Sequence, residues 1–236
     1  MQKNIHLKLI CSTLLIFFIT AFNNVMASEP VSYVKNIGQW DDHILYKASV
    51  SGGYLFVEQN KITFVISESD KIHHVSEEHS IEILNQIVLG RFSYQVEFEG
   101  ANLQSIAEGK QKQTPYHNYF TSPDPSKWRS EVPLYNEVLF TNFYPNIDLL
   151  LKSKDHLFEY DFIIHPGADV SQIKMKYNGI DVPTIRDGQL HLTTPMGKVV
   201  ELAPIVFQNI NGEKQQVKTQ FVKNNDNTIG FKVNES

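Results

Sequence analysis

The chain has 236 residues, 42% of them hydrophobic and 20% charged, with a formal net charge of −5. That length accommodates one large β domain or two small ones, and the acidic balance argues against a nucleic-acid or anionic-membrane partner, which requires a basic patch. The single cysteine, Cys11, lies in the N-terminal segment, so the remainder contains no disulfide, thiolate metal site or cysteine nucleophile.

The chain opens with Lys3 and Lys8, followed by an apolar run from Leu9 to Phe22 and by Val25-Met26-Ala27 ahead of Ser28. This is the layout of a secretory signal peptide, and its apolar core is shorter than the roughly 20 residues of a membrane-spanning helix. Residues 1–27 are therefore expected to be removed, leaving 28–236 as an exported domain, extracellular or on the cell surface, with the periplasm as the alternative. Loss of Lys3 and Lys8 from 21 basic residues, against 26 acidic ones, gives the mature chain a net charge of −7. No second long apolar run occurs, so no membrane span is expected after cleavage.

Period-two alternation dominates the rest of the chain, and helical periodicity is scarce. Residues 44–48, 53–58 and 61–66 are short, β-branched and aromatic, and in Ser93–Glu99 the residues Tyr94, Val96 and Phe98 alternate with Gln95, Glu97 and Glu99. Further strands are expected at 134–140, 147–152, 156–164, 173–177, 189–194, 198–202, 205–209, 216–222 and 228–233. Turns are marked by Gly52-Gly53, Asn178-Gly179, Asp187-Gly188, Met196-Gly197 and Asn211-Gly212. Residues 67–80 and 108–114 are polar and read as loops. A short helix or loop is expected at 78–89 and a single turn at 124–129. The pattern predicts an all-β antiparallel sandwich, either one large sandwich or two packed halves (28–115 and 116–236), with continuous sheets preferred over separable domains.

The stretch EYDFIIHPGADV (159–170) places two acids inside an apolar strand. Strand geometry puts Glu159 and Asp161 on one face, roughly 7 Å apart, a separation that could serve glycoside hydrolysis. Neighbours on one strand aim in parallel, however, whereas two glycosidase acids must flank a bond. A polar outer face, or buried acids held by arginines and backbone amides, is the favoured reading, with Pro166-Gly167 as a structural corner. His73, His74 and His79 beside Glu77 and Glu78 resemble a metal cluster, but they lie in the most loop-like stretch, and metal sites require preorganisation. No cofactor is expected. Neither a GxSxG elbow nor a phosphate-binding glycine loop occurs. The aromatics Tyr116, Tyr119, Phe120, Trp128, Tyr135, Phe140, Phe143 and Tyr144 are the densest such cluster. Core burial is their ordinary fate, although Tyr119, Trp128 and Tyr135 could stack on sugars.

Several phrases in combination carry a resemblance: Asn36-Ile37-Gly38-Gln39-Trp40, Ile44–Ala48, Asn118-Tyr119-Phe120, Trp128, Tyr144–Leu149, Glu159–Phe162 and Pro166–Asp169. From Asn36 to Val233 the chain resembles an N-terminal domain of unknown function in large secreted bacterial proteins. Those proteins often continue into SBBP-type repeats or carry gliding-motility or type IX sorting domains. The resemblance implies an exported all-β surface module and transfers no functional residues. The expected role is non-enzymatic, in adhesion, scaffolding or the cell envelope, with a glycan or another surface protein as partner; the alternative is a carbohydrate-binding or glycoside-acting domain.

Overall fold

In the computed structural model, residues 6–16, 31–67, 90–154, 157–210 and 213–233 are described. Among them the chain forms eighteen strands and two 310 turns. The first layer contains β2 (Tyr33–Lys35), β3 (Tyr46–Val50), β4 (Gly53–Val57), β5 (Lys61–Ser67) and β6 (Arg91–Phe98), each antiparallel to the next, and β6 then passes to β11 (Met175–Asn178). A single residue pair links β11 to β18 (Ile229–Val233), which pairs in turn with β17 (Thr219–Lys223). The second layer runs through β7 (Ile106–Tyr119), β8 (Arg129–Tyr144), β9 (Ile147–Lys154) and β10 (Leu157–Ile164) to β1 (His6–Ile16). Strand β8 is the hinge between the layers: Leu134 and Tyr135 pair with β2, whereas Val138–Phe140 and Tyr144 pair with β9.

β1 is a second fork. Its first half pairs with β15 (Ile205–Ile210), which continues to β16 (Glu213–Val217). Its last four residues pair with β14 (Gly197–Glu201), followed by β13 (Gln189–Thr194) and β12 (Thr184–Arg186).

The layers meet because alternation gives their central strands an apolar face. In β5, Ile62, Phe64 and Ile66 are buried, and in β6, Tyr94, Val96 and Phe98 are buried, while the residues between them are half-buried. These faces pack onto β10. Phe64 meets Phe158 edge-on at 5.6 Å and Phe98 meets Phe162 at 6.0 Å, between ring centroids. Edge-to-face pairs at such distances are the favoured aromatic geometry. The all-β antiparallel sandwich expected from the sequence is the fold observed.

Most expected strands are present, with ends shifted by a few residues. The segment 108–114, expected to be a loop, instead lies within β7, whose polar residues are mostly exposed along a long hairpin with β8. Hydrogen bonding to β8, rather than burial, makes it a strand, so its composition carried no strand signal. Residues 216–222, expected as one strand, divide at Lys218 into β16 and β17. The single turn at 124–129 is a 310 turn over Pro125–Lys127, capped by Asp124, whose Oδ1 accepts the Ser126 N–H at 2.9 Å. The expectations for 78–89 and for Asn211-Gly212 fall outside the described residues.

The corner after β10 is built from local hydrogen bonds. His165 N–H donates to Asn146 O at 2.9 Å and Ala168 N–H to His165 O at 3.1 Å, while Asp169 caps the turn Val170–Gln172. Gly167 sits at φ +83°, and a Cβ there would touch nothing within 4 Å. Only backbone conformation therefore opposes a side chain. Gly167→Val is expected to lower stability by about 1–2 kcal/mol, and Gly167→Asn by less, as read from urea midpoints. Equal midpoints for wild type and the Val variant would refute the left-handed corner.

Candidate functional site

Glu159 and Asp161 occupy the β10 face opposite Phe158, Tyr160 and Phe162. Both are fully buried, so this face is not the polar surface that alternation alone allowed. The register places Lys152 of β9 across from Glu159, and Lys152 Nζ lies 2.9 Å from Glu159 Oε1 and 2.9 Å from Asp161 Oδ2. The buried-acid reading therefore holds, with a lysine in place of the expected arginines. Burial by itself depresses the Lys152 ammonium, but its hydrogen bonds to the two carboxylates together with their charge attraction outweigh that effect and hold its pKa above the ordinary value. Two acids gathered onto one ammonium lie side by side rather than across a cleft. This geometry is that of an internal ion triad, which locks β9 against β10.

A second buried acid site escaped the sequence reading. Glu201, at the end of β14, is 3% exposed; its Oε2 accepts the Tyr160 hydroxyl at 2.8 Å and its Oε1 the Tyr177 hydroxyl at 2.8 Å. Burial pushes its carboxyl pKa up, against the pull of the two hydroxyls. The only signal in the sequence is an acid closing the apolar run Val199-Val200-Glu201. Its tyrosine partners lie 41 and 24 residues away, so only the fold reveals the bridge.

The aromatic cluster divides. Phe140, Phe143 and Tyr144 are core residues, as expected. Tyr135 is half-buried and serves the hairpin: its ring lies across Gly109, where a Cβ would come within 2.5 Å, and it meets Tyr46 edge-on at 6.2 Å. Tyr119 is likewise half-buried, edge-on to Trp40 at 5.4 Å, in a small cluster with Val34, Val132 and Leu134. Tyr116, Phe120 and Trp128, in contrast, are 54%, 56% and 43% exposed at the far end of the β7–β8 hairpin. For these three, core burial is not what the structure shows, because the hairpin extends past the layers that would have covered them.

The exposed rings at the tip are nonetheless anchored. Phe120 and Trp128 meet edge-on at 5.4 Å, and Trp128 Nε1 donates to Ser122 O at 2.7 Å. Arg129 donates through Nη1 to Ser126 O and Trp128 O and through Nε to Ile37 O, tying the tip to the 36–44 loop. Asn36 shapes that loop: its Nδ2 donates to the carbonyls of Trp40, Asp41 and Ile44, and its Oδ1 accepts from Gly38 N–H and Trp40 N–H. This gives the Asn36–Trp40 phrase a structural role. Beside it the Lys47 ammonium lies 4.3 Å from the Tyr54 ring centroid and 5.7 Å from both Trp40 and Phe56. Burial and then the nearby Arg91 charge lower the Lys47 pKa. The result is an aromatic arm adjoining an aromatic face that carries a cation.

His73, His74 and His79 lie outside the described residues. Among the described residues, no group of three or more His, Cys, Asp or Glu side chains is gathered for a metal ion, and no helix is long and apolar enough to cross a membrane.

These features define an all-β protein of antiparallel strands with an internal ion triad and an exposed aromatic arm. The chain belongs to the family of a domain of unknown function, DUF7948, whose model matches residues 33–236. Comparisons with curated proteins and with solved structures give no significant match.

Proposed function

We propose that the protein is a non-enzymatic exported β-sandwich module with a cell-surface or extracellular adhesion, scaffolding or envelope role, and that it engages its partner through the aromatic arm. The observation that carries this reading is the set of three exposed aromatic rings, Tyr116, Phe120 and Trp128, at the hairpin tip. Rigid aromatic side chains give large contact area for little ordering entropy and dominate binding hot spots. Export is supported by the leader-like segment 1–27, and a surface context by the resemblance to secreted SBBP-repeat and gliding-motility-associated proteins. The second reading, carbohydrate binding, draws on the same rings, whose faces can stack on sugars.

The test measures binding of the exported protein to a glycan array and to the envelope proteins of its own cells, for wild type and for the Phe120→Ala/Trp128→Ala double variant. Binding is expected to weaken roughly tenfold or more in the double variant, with an unchanged melting midpoint. Ring-dependent binding to glycans alone would select the second reading. Binding that is indifferent to the double substitution would remove the arm from the function.

A further inference from the structure

Among the described residues, the sheet continues from β10 to β14 and β15 through β1 alone. On one edge β1 pairs with β10 over seven positions, Leu7 opposite Ile164 to Thr13 opposite Phe158. On the other, His6–Ile10 pair with Asn209–Ile205 and Thr13–Ile16 with Glu201–Lys198. Among the described pairings no other strand joins β12–β16 to the remaining ladders. The family match begins at residue 33, so it includes both walls of this slot and excludes the strand that fills it. The filling strand also coincides with the apolar core of the expected export leader.

We propose that the slot between β10 and β14–β15 is a strand-acceptor site, which, once the leader is removed, takes up an extended apolar strand of another polypeptide. This inference rests on the export reading. Without β1, alternate residues along the seven-position edge of β10 lose the partners of their backbone N–H and C=O groups, the residues between them being bonded to β9, and buried backbone polar groups require partners. An added strand supplies them on both sides at once, the hydrogen-bonding mode of β-augmentation. The slot also dictates side chains. Positions opposite Tyr160 and Phe162, which are 4% and 0% exposed, must be apolar to complete the core. Positions opposite the buried Glu159 and Asp161 cannot be acidic, because like charges directly across a sheet repel. The partner is thus a strand with apolar residues opposite Tyr160 and Phe162 and no acid opposite Glu159 or Asp161, at least as long as the seven-residue β10 edge.

The test uses the protein recovered after export, with its N-terminus sequenced and its intact mass showing no second polypeptide. The probe is a synthetic peptide of residues 6–16, and the control peptide carries Leu9→Asp and Cys11→Asp, at the positions opposite Phe162 and Tyr160. Amide hydrogen exchange of Phe158–Ile164 is followed with and without each peptide. A product starting near Ser28, whose β10 amides exchange roughly tenfold or more slowly with the probe and not with the control, is the expected result. The same N-terminus with amides already protected, or unaffected by the probe, overturns the acceptor site and leaves the export reading standing. A product starting at Met1 overturns the export reading, and the acceptor site with it.

Discussion

Phe162→Ala should lower the stability of the folded protein by about 3–5 kcal/mol, the range for emptying a large aromatic core site. Phe162 is fully buried on β10, where it contacts rings from both layers: Tyr160 at 5.9 Å on its own strand, Phe98 at 6.0 Å on β6 and Phe231 at 5.9 Å on β18. Close-packed interiors collapse only partly around a deletion, so the loss of transfer free energy is joined by a cavity term. Phe162→Leu keeps most of the volume and should cost less. Urea denaturation of the three proteins checks the order, and a loss below about 1 kcal/mol for the Ala variant would mean that β10 is not the central strand of the core.

Lys152→Met should be comparably damaging, at about 3–5 kcal/mol, because it removes the ammonium shared by two buried carboxylates. Replacing all three members (Lys152→Met, Glu159→Gln and Asp161→Asn) should recover much of that loss, since a buried ionic group is costly chiefly when its partner is missing. A triple variant no more stable than the single one would show that the triad is not the reason for Lys152's importance. The triad also sets a pH dependence. The folded pKa of Lys152 lies above its ordinary value of 10.5, so its contribution is fully present below that value and is lost as pH rises through the folded pKa. If the acids instead served catalysis, wild type would turn over a polysaccharide, and Glu159→Gln or Asp161→Asn would abolish turnover without moving the melting midpoint.

Much of the sandwich could be read from local pattern. Alternation in Ser93–Glu99 located β6, and the corner at Pro166-Gly167 was legible because its glycine and the Asp169 cap act within a few residues. The candidate site was less legible. Glu159 and Asp161 stood out as acids in an apolar strand, but what neutralises them depends on the β9 register that brings Lys152 opposite. Glu201 did not stand out because its partners are tyrosines, which any core contains. Of the aromatics between Tyr116 and Tyr144, the sequence could not divide core rings from exposed ones, because burial depends on which layer lies above a strand.

The amino-acid sequence by itself determined the all-β class, the placement of most strands and the tight turns, because side-chain alternation and turn chemistry operate over two to four residues. Only the tertiary structure decided that the polar segment 108–114 is a strand, that β8 forks between two layers and that the tip aromatics face outward. It alone placed Lys152 between two acids and β1 in the gap beside β10. Those features depend on pairing and burial between residues far apart in the chain, where the free energy lies in contacts that no local stretch contains.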